Sequence, residues 1–82
     1  MWALGYTLVT MEVNVQRLRE LRQLRVLTLR ELEEESGVSY NTIWRLENGH
    51  RQARPSTIRK LAAALGVEAS ELVVAAEDSG NA

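Results

Sequence analysis

The side chains of this 82-residue sequence best suited to chemistry with a partner gather between Ser39 and Pro55. The stretch SYNTIWRLENGHRQARP sets Trp44 beside Arg45, with Tyr40, Asn41 and Asn48 around them. At helical pitch Ile43, Leu46 and Glu47 share one side, Asn41, Trp44, Arg45 and Asn48 share the other, and Tyr40 lies near the edge. The outer side thus offers amides, a guanidinium and aromatic rings. These groups suit base edges and phosphates: guanidinium for guanine, amide for adenine, aromatic faces for a thymine methyl or a sugar. The alternative for Trp44 is packing beneath the following loop or against the N-terminal residues, because tryptophan is usually at least partly buried.

Charge supports an anionic partner locally but not globally. The formal net charge is −1. Residues 40–60 nevertheless hold Arg45, Arg51, Arg54, Arg59 and Lys60 against Glu47 alone, whereas residues 67–82 carry Glu68, Glu71, Glu77 and Asp78 and no cation. A near-neutral total can therefore conceal a basic face, with ordinary solvated charge as the bland alternative.

Composition argues against other classes. There is no cysteine, and His50 is the sole histidine. Disulfides and thiolate metal sites are thereby excluded, and a zinc centre or a histidine-dependent triad is disfavoured. Ser36 and Ser39 have no accompanying His or Lys pattern and read as helix-end residues. We therefore expect no enzyme, catalytic residue, metal or cofactor. The apolar start MWALGYTLVTM falls short of the roughly 20 residues of a membrane span. It also lacks the basic leader of a signal peptide. The absence of cysteine fits a reducing cytosol, where a nucleic-acid binder would associate with the nucleoid.

The rest of the chain supplies the scaffold. Residues 1–13 alternate as a strand-like arm, with Trp2, Leu4, Tyr6 and Leu8 on one side. Alternatively, Met11 is the true start and the preceding residues are passenger sequence. A helical domain spans 14–77, and 78–82 read as a frayed tail. Asn14 caps a first helix with Val15, Leu18 and Leu21 inward. Thr28 and Glu31 have capping-box spacing for a second, carrying Leu29 and Leu32 inward and closing at Ser36 and Gly37. Ser39 caps a third helix, which Gly49 stops. A polar loop leads to Pro55 and a fourth helix with Ile58, Leu61, Ala62 and Leu65 inward, closed by Gly66. The segment ASELVVAAE reads as a short fifth helix returning Leu72 and Val73 to the core. The expectation is an all-α domain of five helices, with the second and third joined in a helix-turn-helix.

Two charges fall inside apolar stripes. Glu47 lies on the inner side of the third helix, and Arg22 within the stripe of the first. A buried carboxylate needs a partner. One internal Arg22–Glu47 pair would satisfy both, unless each snorkels to solvent.

Residues 14–74 resemble the phage-repressor-type helix-turn-helix family, often called the XRE family. The resemblance is carried by LRELR, by LTLRELEEESGVS through the turn, by TIWRLENG, and by PSTIRKLAAALGVEASELV. It implies a five-helix DNA-binding domain that docks its third helix in the major groove, usually as a homodimer on a palindromic operator, in the geometry phage repressors exemplify. It implies that Tyr40, Asn41, Trp44 and Arg45 face bases, and that Ser39, Asn48, Arg51, Gln52 and Arg54 approach phosphate. The family's internal ion pair falls on Arg22 and Glu47. Two positions depart from the pattern. Leu29 stands where the family has a phosphate-touching Gln, and Glu33, within the acidic run Glu33–Glu35, stands where it favours Ala. A stand-alone domain of this kind fits a repressor, a restriction–modification controller or an antitoxin. The rival reading is a protein-interaction module of the same fold, with a toxin or other regulator as partner. Residues 2–10 are expected to add to the dimer interface, paired across the two-fold or packed on the partner copy near Leu72 and Val73.

Overall fold

The first three helices start where the sequence supplies an acceptor for a free N–H group, and a fourth starts at a proline. In the computed structural model, which describes residues 10–74, α1 runs Val15–Leu24 and the Asn14 side chain accepts from Arg17 N at 3.1 Å. Helix α2 runs Leu29–Ser36 with both halves of the capping box made, Glu31 N to Thr28 Oγ1 at 3.0 Å and Thr28 N to Glu31 Oε1 at 2.8 Å. Helix α3 runs Tyr40–Glu47, capped by Ser39 through Thr42 N. Helix α4 runs Pro55–Leu65, with proline where its missing N–H costs nothing.

The helices close one core. Leu18, Leu32, Ile43, Leu46, Ile58, Leu61 and Leu72 are fully buried, with Val13, Val38 and Ala53 filling between them. Helix α2 packs on α3 and α4, and α1 packs on α3. Helix α3 is thereby covered on its inner side by two helices and left open on its outer side.

Three expectations are corrected. The fifth helix is a single 3₁₀ turn, Ala69–Leu72, because the next residue turns extended. Val13 and Val73 form an antiparallel bridge, flanked by hydrogen bonds from Asn14 N to Leu72 O and from Val74 N to Glu12 O. Backbone groups that a continuing helix would have used are spent on this bridge. The second correction concerns the loop after α3, where Gln52–Ala53 forms a short strand, β2, antiparallel to β1, Met11–Glu12. The end of the expected arm is thus bound into its own chain, and Val13 belongs to the core. Third, Leu72 is buried in its own protomer and has no surface to offer a second copy. The remainder of the arm call, residues 1–9, and the expected tail at 78–82 lie outside the described residues. Among the described residues, no helix is long and apolar enough to cross a membrane.

One backbone position is strained. Helix α1 ends in a Schellman motif, Leu27 N to Arg22 O at 3.1 Å and Val26 N to Gln23 O at 2.9 Å. The left-handed residue of that motif is Val26, at φ 55° and 84% exposed. A β-branched side chain is unfavourable there, by roughly 1–2 kcal/mol. Val26→Asn should therefore raise the thermal midpoint by about 4–8 °C, taking a gain of about 1 kcal/mol. An unchanged midpoint would show that the loop relaxes around valine at no cost.

Candidate nucleic-acid interface

The α2–turn–α3 unit is positioned from behind. Ile43, Leu46 and Glu47 face inward, while Asn41, Trp44, Arg45 and Asn48 are exposed and Tyr40 is half-buried at the head of α3. Trp44 keeps 47% of its surface exposed, so it is not packed away beneath the following loop; residues 1–9, the other expected cover, lie outside the described residues.

The anchor behind this face is an ion pair. Arg22 donates from Nε to Glu47 Oε2 at 2.6 Å and from Nη2 to Oε1 at 2.8 Å, and its Nη1 reaches Leu27 O at 2.7 Å. Glu47 is 5% exposed and has a further cation nearby, Arg19 Nε at 3.5 Å, whose Nη2 also donates to the Glu47 carbonyl at 3.0 Å. The hydrogen bonds to Glu47 hold the Arg22 guanidinium above its ordinary pKa, against the opposing effect of burial. Two-pronged geometry of this kind fixes orientation as well as distance. It ties α1, the α1–α2 loop and the end of α3 into one rigid support.

The residues expected to approach phosphate are not all brought together. Arg45, Gln52 and Arg54 line one cleft of about 560 Å³ beside the end of α3, together with Thr42, His50 and Thr57. Gly49, at φ 104°, turns the chain so that His50 N reaches Arg45 O at 2.9 Å and the imidazole lies 3.4 Å from Arg45 Nη2. Arg51 falls on another side, near Glu12 Oε2 at 3.4 Å, in a cleft it shares with Arg19 and Glu20. Ser39 spends its hydroxyl on the α3 cap, accepting from Thr42 N and donating to Thr42 Oγ1 at 2.9 Å. Asn48 Nδ2 donates to Trp44 O at 2.8 Å, closing the helix end, and Gln52 Oε1 accepts from the Thr10 hydroxyl at 2.8 Å.

Two contacts had no signal in the sequence strong enough to single them out. His50 touches Arg45 only because the glycine turn folds it back. Arg30, in the first turn of α2, lies over the Tyr40 ring with its Cζ 4.7 Å from the centroid. Both depend on how separate segments meet.

This architecture matches known proteins. A helix-turn-helix family model covers residues 18–72. Over 62 residues the chain is 50% identical to an uncharacterised HTH-type transcriptional regulator, RghRB, of Bacillus subtilis, covering 74% of this chain and 45% of that protein. It is 48% identical over 58 residues to the HTH-type transcriptional repressor RghR of the same organism, covering 70% and 43%. The chain thus spans less than half the length of either relative. In structure it superposes on the restriction-modification controller protein C.AhdI from Aeromonas hydrophila with a TM-score of 0.65 at 38% identity, covering 70% of this chain and 86% of that one. The capped helices, the glycine-bearing turn and the braced third helix are those of a family, and the chain belongs to it: the phage-repressor-type, or XRE, helix-turn-helix family.

Proposed function

We propose that this chain is a DNA-binding transcriptional regulator, a repressor, that inserts α3 into the major groove and binds a palindromic operator as a homodimer. The observation that carries the reading is the outer face of α3. Asn41, Trp44 and Arg45 stand exposed there on a helix whose inner face is locked by core leucines and a bidentate ion pair. Asn41 and Arg45 match the donor and acceptor patterns of adenine and guanine, and Trp44 and Tyr40 offer apolar contact. Arg54 and Gln52, beside the end of α3, approach phosphate with Asn48; Ser39 contributes mainly through its cap, and Arg51 sits further round. The relatives named as a regulator and a repressor, and the restriction-modification controller, support this reading in kind.

Two-fold symmetry would set the two recognition helices about one DNA turn apart, roughly 34 Å. The groove between β1, α4 and the 3₁₀ turn, lined by Met11, Pro55, Ile58 and Val73, supports a self-complementary contact that leaves the α3 residues out of its lining. A second reading rests on α2, where Glu34 and Glu35 are exposed and Glu33 half-buried. Carboxylates there repel phosphate and suit a protein-interaction module or an antitoxin. Selection from random duplex DNA separates the two. The regulator reading expects enrichment of inverted half-sites with centres about 10 base pairs apart. Folded protein that enriches no sequence would overturn it in favour of the second.

A further inference from the structure

Arg30 occupies an unusual place among the cations. Arg17, Arg19, Arg22 and Arg51 are each paired with a carboxylate, and Arg25 donates to the Ala64 carbonyl. Among the described residues Arg30 makes no ion pair, as is also true of Arg45, Arg54, Arg59 and Lys60; what sets it apart is its contact with the Tyr40 ring. The local sequence explains why. Glu31 turns back to the Thr28 N–H in the capping box, and Leu29 packs on the core. Arg30 is therefore the first exposed side chain of α2, and it lies over the first residue of α3.

A guanidinium lying on an aromatic face is held by its flat side, which leaves its N–H edge free to donate. Tyr40 is half-buried, so the platform is itself fixed. In helix-turn-helix docking the first helix of the pair crosses the DNA backbone, and the N-terminal residues of the second meet base edges. The Arg30–Tyr40 contact joins those two places. It also supplies a donor next to Leu29, which has none in its side chain.

We infer that Arg30 contacts a backbone phosphate and that Tyr40 is the platform that aims it, coupling the start of α2 to the head of the recognition helix. This rests on the proposed DNA-binding reading.

The test is the salt dependence of binding to the selected DNA site, followed by fluorescence anisotropy, with folding checked by circular dichroism. Arg30→Gln removes one phosphate contact, so the slope of log affinity against log salt falls in magnitude by about 0.9. Arg30→Lys keeps the charge and the wild-type slope. Tyr40→Leu weakens binding, and in the Arg30→Gln/Tyr40→Leu protein the loss is smaller than the sum of the two single losses, because the contacts are coupled. A folded Arg30→Gln protein with the wild-type slope overturns the inference, as do losses that simply add. Should wild type itself bind no DNA, it is the regulator reading that fails; should wild type bind while Arg30→Gln keeps its slope, only the role of Arg30 fails.

Discussion

Glu47→Ala will destabilise the domain by about 3–5 kcal/mol, the cost of stranding one partner of a buried ion pair. Glu47 is 5% exposed, and its carboxylate accepts from both Nε and Nη2 of Arg22. Arg22 keeps only its bond to Leu27 O once the carboxylate is gone, and its side chain is 15% exposed, too little for full hydration. Small domains have about 5–15 kcal/mol of total stability, so this is a large share of it. In a thermal melt the midpoint should fall by 10 °C or more, at about 4–8 °C per kcal/mol. The pair also braces α3, so what remains folded should bind any DNA target less tightly. Replacing both partners together, as Arg22→Met/Glu47→Leu, should recover much of the loss because no charge is left stranded. A Glu47→Ala protein melting within a few degrees of wild type would mean that water reaches Arg22 after all.

Arg45→Ala carries the largest expected effect on recognition. Its guanidinium is exposed on the outer face of α3 and rests 3.4 Å from the His50 ring, which limits its wandering before binding. Loss of a bidentate contact to guanine costs about 1–3 kcal/mol against the correct base. That is roughly 5- to 150-fold in affinity for the preferred site. The preference at one base position should relax while neighbouring positions persist. Arg54→Ala should instead weaken binding to all sequences alike and flatten the salt slope, because phosphate contacts position without specifying. Arg51→Ala should have the smaller effect, since Arg51 sits beside Glu12 and away from the cleft of Arg45 and Arg54. Selection with each variant reads these differences directly. An Arg45→Ala protein that enriches the wild-type motif removes Arg45 from the base-reading set.

The sequence by itself determined what is local. Asn14, Thr28 and Ser39 cap helices because each side chain bonds an N–H three residues on. The leucine and isoleucine stripes name the core because helical spacing is set by the backbone alone. The same spacing put Glu47 inward and Trp44 and Arg45 outward, so most of the α3 face was legible before any coordinates. Only the tertiary structure decided what depends on segments meeting. Whether ASELVV continues as a helix turns on Val13, some sixty residues earlier, which draws Val73 into an extended bridge. Whether Arg51 and Gln52 act together turns on β1, because pairing at Gln52–Ala53 sends neighbouring side chains to opposite sides. Arg30 and Tyr40 belong to separate helices, and the contact between them follows from how α2 and α3 cross, not from any spacing along the chain. Periodicity reports which way a side chain leaves its own element; the angle at which elements pack decides what it meets.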